Sequence, residues 1–170
     1  MSGLKYSAMA AVLTCIAAIS SANAADVEFV DTFKDWTVYT ADQDGQKICY
    51  IASRPSKEEG NYSRRGDVAT LVTHIPGGNA VNEVSIQSGY EYKAGVDVEL
   101  KIDRKQFRMF TDGEHAWAKT VQDDNAIISA MRRGKQMVVV GRSSRNTLTT
   151  DSYSLLGFTA AFRRMVESCS

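Results

Sequence analysis

Groups that ligate metals or relay protons are scarce: the 170-residue chain has two histidines and three cysteines. His74 and His115 each stand alone in β-rich segments, with no ligand-like spacing to Cys or carboxylates. The sequence therefore calls for no metal and no cofactor, since such sites need several convergent donors. There is no G-x-S-x-G elbow, no phosphate loop and no G-x-G-x-x-G, which removes the usual serine-hydrolase and nucleotide signatures. No C-x-x-C is present either, so a redox pair with a lowered thiol pKa is not indicated. Glu58-Glu59 and Asp123-Asp124 are adjacent pairs whose side chains would point apart on a strand. The first reads as a solvated loop and the second as a helix start, rather than as an acid/base dyad.

Long apolar runs are also missing. The longest, residues 8–19, is shorter than the roughly 20 residues that span a bilayer. It follows Lys5 and precedes Ala22-Asn23-Ala24, the three parts of a secretory signal peptide. Residues 1–24 are expected to be removed on export through the Sec route, leaving residues 25–170 as a single domain. Loss of Lys5 leaves 19 basic and 20 acidic residues, a net charge of −1, which gives no support to nucleic-acid binding. Two cysteines remain, Cys49 and Cys169. In an oxidising compartment an even count reads first as a disulfide, with two unpaired thiols as the alternative. Such a bond would close about 120 residues and contribute at most roughly 4 to 5 kcal/mol through chain entropy.

What the chain does contain is strand signal. In "VDVELKID", Val96, Val98, Leu100 and Ile102 alternate with acids and a lysine, so one face is expected to be buried. "FKDWTVYTA" and "KICYIAS" flank Asp44-Gly45, a hairpin dipeptide, with Trp36, Val38 and Ile48 as core candidates. Further β-rich runs flank "PGGN" and Asp112-Gly113. Turns at such short intervals predict a mainly β fold, an antiparallel sandwich or barrel-like sheet, with one short internal helix and a C-terminal helix. The internal helix is read in "DDNAIISAMRRG", capped by Asp123 or Asp124 and stopped by Gly134. The last helix carries Phe158, Ala161, Phe162, Met165, Val166 and Cys169 on one stripe, which directs Cys169 toward the sheet. Asp151 or Ser154 is expected to cap it, and Gly157 to let it approach the sheet closely. "MVVVG" and "TLTT" read as two strands joined by a polar turn over residues 143–146.

Tyr90, Tyr92, His115 and Trp117, together with Arg64 and Arg65, form a candidate binding surface, because Tyr and Trp give large contact area with a polar handle. Aromatics are equally ordinary in sheets, where they pair across strands. Arg145, at the tip of the 143–146 turn, is a further residue that a partner could reach.

"FKDWTVYTADQDGQKICYIASRP", "NEVSIQSGYEYKAG", "KIDRKQFRMFTDGEHAW" and "AMRRGKQMVVVGRSSRNTLTTDSYSLLGF", closed by a final Cys, together resemble the invasion-associated locus B family of exported bacterial proteins. The similarity covers nearly all of residues 25–170 in the same order. It implies an exported, non-enzymatic, mostly β protein, and the leading expectation is that the protein recognises an unidentified protein or surface macromolecule. It also implies a periplasmic, outer-membrane-associated or secreted location, and a link to host-cell entry, notably into red cells. The alternative is an envelope-maintenance or inhibitor-like role without host contact. Two positions depart from the family pattern. Asp103-Arg104 replaces a frequent Asp-Gly, so a tight primed turn there is expected to be strained or to change type. Asn146 replaces a frequent Gly and is expected to keep its turn, because Asn tolerates positive φ.

Overall fold

The structure, a computed structural model, describes residues 26–78 and 81–170. The expected signal peptide lies outside them. The described chain is mainly antiparallel β. Its strands are β1 (Asp26–Phe33), β2 (Trp36–Gln43), β3 (Gln46–Ser53), β4 (Lys57–Gly60), β5 (Ala69–His74), β6 (Glu83–Gln87), β7 (Val98–Ile102), β8 (Lys105–Asp112) and β9 (His115–Ala118). Helix α1 (Val121–Met131), strands β10 (Gln136–Arg142) and β11 (Leu148–Ser154) and helix α2 (Phe158–Ser168) complete it. One sheet runs β1-β2-β3-β5-β6-β9-β8-β7-β10-β11-β4, with every pairing antiparallel.

The hydrogen-bond ladder does not close, but the sheet curls. After β3 the chain crosses at Pro55 to the far edge, where β4 pairs with β11. Ser56 donates its backbone N–H to Ser152 O at 2.8 Å, and Trp36 Nε1 donates to Ser154 O at 3.1 Å. These bonds bring β11 beside the start of β2. Glu58 and Glu59 thus lie in an edge strand rather than a loop, because the curl offers them the open side of β11 as a partner.

Turn chemistry sets which side chains go inward. Asp44 (φ 55°) and Gly45 (φ 79°) pair Gln43 with Gln46, and that register turns Trp36, Val38, Cys49 and Ile51 into the core. Ile48 consequently falls on the outer face beside Tyr50, half-buried, and is not a core residue as expected. In β7, Val98, Leu100 and Ile102 are buried as the alternation required, while Val96 stands just before the strand. Asp103 adopts φ 50° but Arg104 does not share the positive φ, so that hairpin turn is not the doubly positive primed type. Asn146 holds φ 70° in the 143–147 turn, which is retained.

Helix α2 lies across β1, β2 and β3. Phe158, Ala161, Phe162 and Met165 are buried, and Phe158 meets Trp36 edge-on at 4.9 Å. Neither Asp151 nor Ser154 caps this helix, because β11 runs to Ser154 and Asp151 has another partner. The N-cap is Gly157 at φ 91°, and a Cβ there would land on the Phe33 carbonyl oxygen. Only glycine supplies both that conformation and the close approach to the sheet. Past the last turn, Cys169 is joined to Cys49 of β3 by a disulfide, with Cα atoms 5.9 Å apart.

Helix α1 starts earlier than the sequence suggested. Thr120 is its N-cap, accepting from the Asp123 N–H at 3.2 Å. That frees Asp124 to turn inward, where it is 7% exposed and accepts from the Val84 N–H of β6 at 2.8 Å. Burial raises its carboxyl pKa to about 6, the charges of Glu83 and Asp123 adding to the rise and the Val84 N–H opposing it. The folded protein therefore binds this proton more tightly than the unfolded chain, whose ordinary value is 3.8. Stability should fall as pH rises from about 4 to about 6 and stay reduced above that. Asp124→Asn keeps an acceptor for Val84, so it should add about 1–2 kcal/mol at neutral pH and flatten that slope. Urea denaturation across this range measures both; an unchanged slope would mean that Asp124 stays ionised.

Candidate functional site

Three connections converge at one end of the sheet: residues 61–68 between β4 and β5, residues 88–93 after β6, and the 143–147 turn between β10 and β11. Between them lies an open cleft of about 960 Å³. Its backbone is pinned where Gly66 donates its N–H to Gly89 O at 2.8 Å. Gly89 has φ 70°, and a Cβ on it would crowd the Gly66 carbonyl, so the two loops can meet only through glycine here.

Arg65 anchors the floor. Its Nη1 and Nη2 donate to Asp151 Oδ1 and Oδ2, both at 2.6 Å, and its Nε donates to Ser88 O at 2.7 Å. Both side chains are buried, 4% and 3% exposed. This two-pronged geometry suits a guanidinium and would be lost with lysine. Burial alone would lower the Arg65 pKa, but its bonds and charge attraction to Asp151 hold it above its ordinary value. The guanidinium carbon lies 5.0 Å from the Tyr90 ring centre and 5.6 Å from that of Tyr62, so the cation sits between two aromatic rings. Tyr90 Oη shares a 2.6 Å hydrogen bond with Thr149 Oγ1. Burial raises the Tyr90 phenol pKa, with the Thr149 bond and Arg65 opposing, so the ring presents a neutral hydroxyl.

Arg64 and Arg145 stand on the rim, exposed, and no ion pair among the described residues engages either. Ser143 Oγ accepts from the Thr147 N–H at 3.1 Å, which closes the turn. Among the described residues, no hydrogen bond joins Ser143 or Ser144 to a histidine or carboxylate side chain, so the arrangement does not pair either serine with a base. It can instead hold a partner through hydroxyl and guanidinium donors set against aromatic faces.

The residues singled out in the sequence separate into three places. Arg64, Arg65, Tyr90 and Arg145 line the cleft. Tyr92 is 5% exposed and packs in the core beneath, edge-on to Tyr90 at 5.2 Å. His115 and Trp117 stack on each other at 5.4 Å on β9, with Phe110 against Trp117 at 5.7 Å, and do not line the cleft. His74 lies in β5 beside Asn82, its Nδ1 3.2 Å from Asn82 Oδ1. No group of three or more His, Cys, Asp or Glu among the described residues could hold a metal ion. Tyr62 and Asp151 were not anticipated as site residues. Asp151 had a readable signal: in "LTTDSYS" it shares the inward parity of Thr149 and Tyr153, and an acid at an inward strand position requires a buried partner.

Among the described residues no helix is long and apolar enough to cross a membrane. No curated protein and no solved structure matches the chain. The family model described as invasion associated locus B (IalB) protein matches residues 36–166, from the first core residue of β2 to the last turn of α2. Spanning most of the chain and the whole of the cleft, that match establishes that the protein belongs to the invasion associated locus B family.

Proposed function

We propose that the protein is an exported, non-catalytic recognition protein of the bacterial envelope or cell surface, and that the 61–68, 88–93 and 143–147 segments hold its partner. Membership of a family described as invasion associated supports export and a part in host-cell entry. The observation that carries the binding role is the cleft itself. Its floor is fixed by the Arg65–Asp151 pair, and its rim offers two guanidiniums, Arg64 and Arg145, that no acid of the described chain neutralises. A preformed floor lowers the ordering cost of association, and Arg with Tyr are residues that concentrate binding energy.

Arg64→Ala with Arg145→Ala tests this. Both residues are exposed, so the melting temperature should not move, whereas retention of the component that the immobilised parent protein captures from envelope or erythrocyte-membrane extract should fall at least about tenfold. Equal affinity of the double variant would refute the cleft as the recognition surface. Protease shaving of intact cells separates the two settings: cleavage supports a surface role, and complete protection refutes host contact.

A further inference from the structure

The two edges of the sheet are built differently, and the difference points to a second docking site. Edge strand β4 is four residues long, Lys57-Glu58-Glu59-Gly60, and its charges are spoken for: Lys57 pairs with Glu59 at 2.8 Å and Glu58 with Arg65 at 3.4 Å. Short charged strands of this kind discourage pairing with another chain. Edge strand β1 has eight residues, "DVEFVDTF", with no Lys, Arg or Pro. Among the described residues it pairs only with β2, so the outward N–H and C=O groups of its other side have no strand partner.

Its outer face is apolar. Val27 is 50% exposed and Phe29 65%. Phe29 meets Tyr39 edge-on at 6.4 Å, and Tyr39 stacks on Tyr50 at 5.1 Å, so three neighbouring strands carry one aromatic ladder. That ladder leads into a shallow depression of about 560 Å³ lined by Tyr39, Tyr50, Ala52 and Pro55 among others. Asp26, Glu28 and Asp31 alternate with these apolar positions, and no ion pair among the described residues engages them. Asp42, opposite Asp26, adds a fourth acid.

We propose that β1 receives an extended, basic segment of another protein by strand addition. Backbone hydrogen bonds supply the attachment, as in other sheet-edge recognition, and side-chain alternation supplies the choice of partner. Apolar residues of the incoming strand cover Val27 and Phe29, and its Lys or Arg residues face Asp26, Glu28 and Asp31. A second copy of this chain is a poor occupant, because β1 against β1 sets acids beside acids with no base on either strand, and like charges across a pair destabilise it. The β-bulge between Phe29 and Asp31 interrupts the register, so the added strand is short, about four residues on either side of the bulge. This site shares no lining residue with the 61–68/143–147 cleft.

The probes are a synthetic peptide alternating Lys with Val or Phe and the same peptide with Glu in place of Lys. Amide hydrogen exchange of Asp26–Phe33 is followed in the full protein. The Lys peptide should slow exchange at the outward β1 amides at least about tenfold, while the Glu peptide leaves them unchanged. Glu28→Gln with Asp31→Asn keeps the strand and should weaken the Lys peptide about fivefold, an effect lost at high salt. Phe29→Ser should weaken it independently of salt. Unchanged β1 exchange with the Lys peptide, or equal protection by the Glu peptide, overturns the proposal. Protection that rises with protein concentration and needs no peptide overturns it in favour of self-association.

Discussion

Replacing Asp151 with Ala is expected to cost about 3–5 kcal/mol, because it strands a buried guanidinium whose two strongest hydrogen bonds are gone. Arg65 cannot shed its proton to escape, and at 4% exposure its side chain has little access to water. With a urea slope of about 2 kcal/mol/M, the unfolding midpoint should drop by about 1.5–2.5 M. The combined replacement Arg65→Met with Asp151→Leu removes both charges together and should recover most of that loss, since well-packed apolar residues often match a buried ion pair in stability. What it should not recover is the cleft. Without the guanidinium between Tyr62 and Tyr90, and without the bond to Ser88 O, residues 61–66 keep only the Gly66–Gly89 backbone bond to residues 88–90, and the side-chain floor of the cleft is gone. The double variant thus separates fold from recognition. A loss below about 1 kcal/mol for Asp151→Ala would mean that water reaches the pair and that the cleft floor is soft.

The same pair shows where the sequence could be read and where it could not. Strand β7 was legible because its alternation is local: Val98, Leu100 and Ile102 need only a period of two. The turns at Asp44-Gly45 and Asn146 were legible because positive φ is a property of the residue and its neighbour. Cys169 could be aimed at the sheet because the stripe of Phe158, Phe162 and Met165 defines one side of α2. By contrast, the β4 pairing, the inward turn of Asp124 and the Arg65–Asp151 bonds join positions 40 to 95 residues apart in the chain or depend on how far the sheet curls. Ile48 differs, because its face follows from the local hairpin register. With Gln43 opposite Gln46 the hairpin sets Ile48 across from Ala41, whose parity is opposite to that of Trp36 and Val38, so the three cannot share a face.

Sites suffer most from this limit. A cleft drawn from three connections appears only after eleven strands have been ordered, and the local composition of each connection reads as ordinary loop. Arg64, Arg65, Tyr90 and Arg145 carried a signal as Arg and Tyr in β-rich surroundings, whereas His115 and Trp117 carried the same signal and lie on a different surface. Residue type selects candidates; topology decides which of them meet.

Removing the disulfide should produce the other large effect. Cys49 and Cys169 are 120 residues apart in sequence, so the bond closes nearly the whole fold into one loop. The chain-entropy estimate for such a loop is about 5 kcal/mol, and native disulfides of domains this size contribute about 2–5 kcal/mol when measured. The paired replacement Cys49→Ala with Cys169→Ala should therefore lower stability by about 2–5 kcal/mol; alanine avoids placing a hydroxyl at Cys49, which is fully buried. The structural consequence should be graded along α2. Phe158, Ala161, Phe162 and Met165 hold the first two turns against the sheet without help, but Val166 is 37% exposed and the last turn has little else to secure it. Limited proteolysis should thus clip the variant after Met165 first, leaving the remainder of the helix docked, while the parent resists at the same protease concentration. Urea denaturation with and without reductant should reproduce the stability loss in the parent chain and leave the variant unaffected. A parent whose midpoint ignores reductant that demonstrably opens the bond would show that packing of α2, rather than the covalent link, closes the fold.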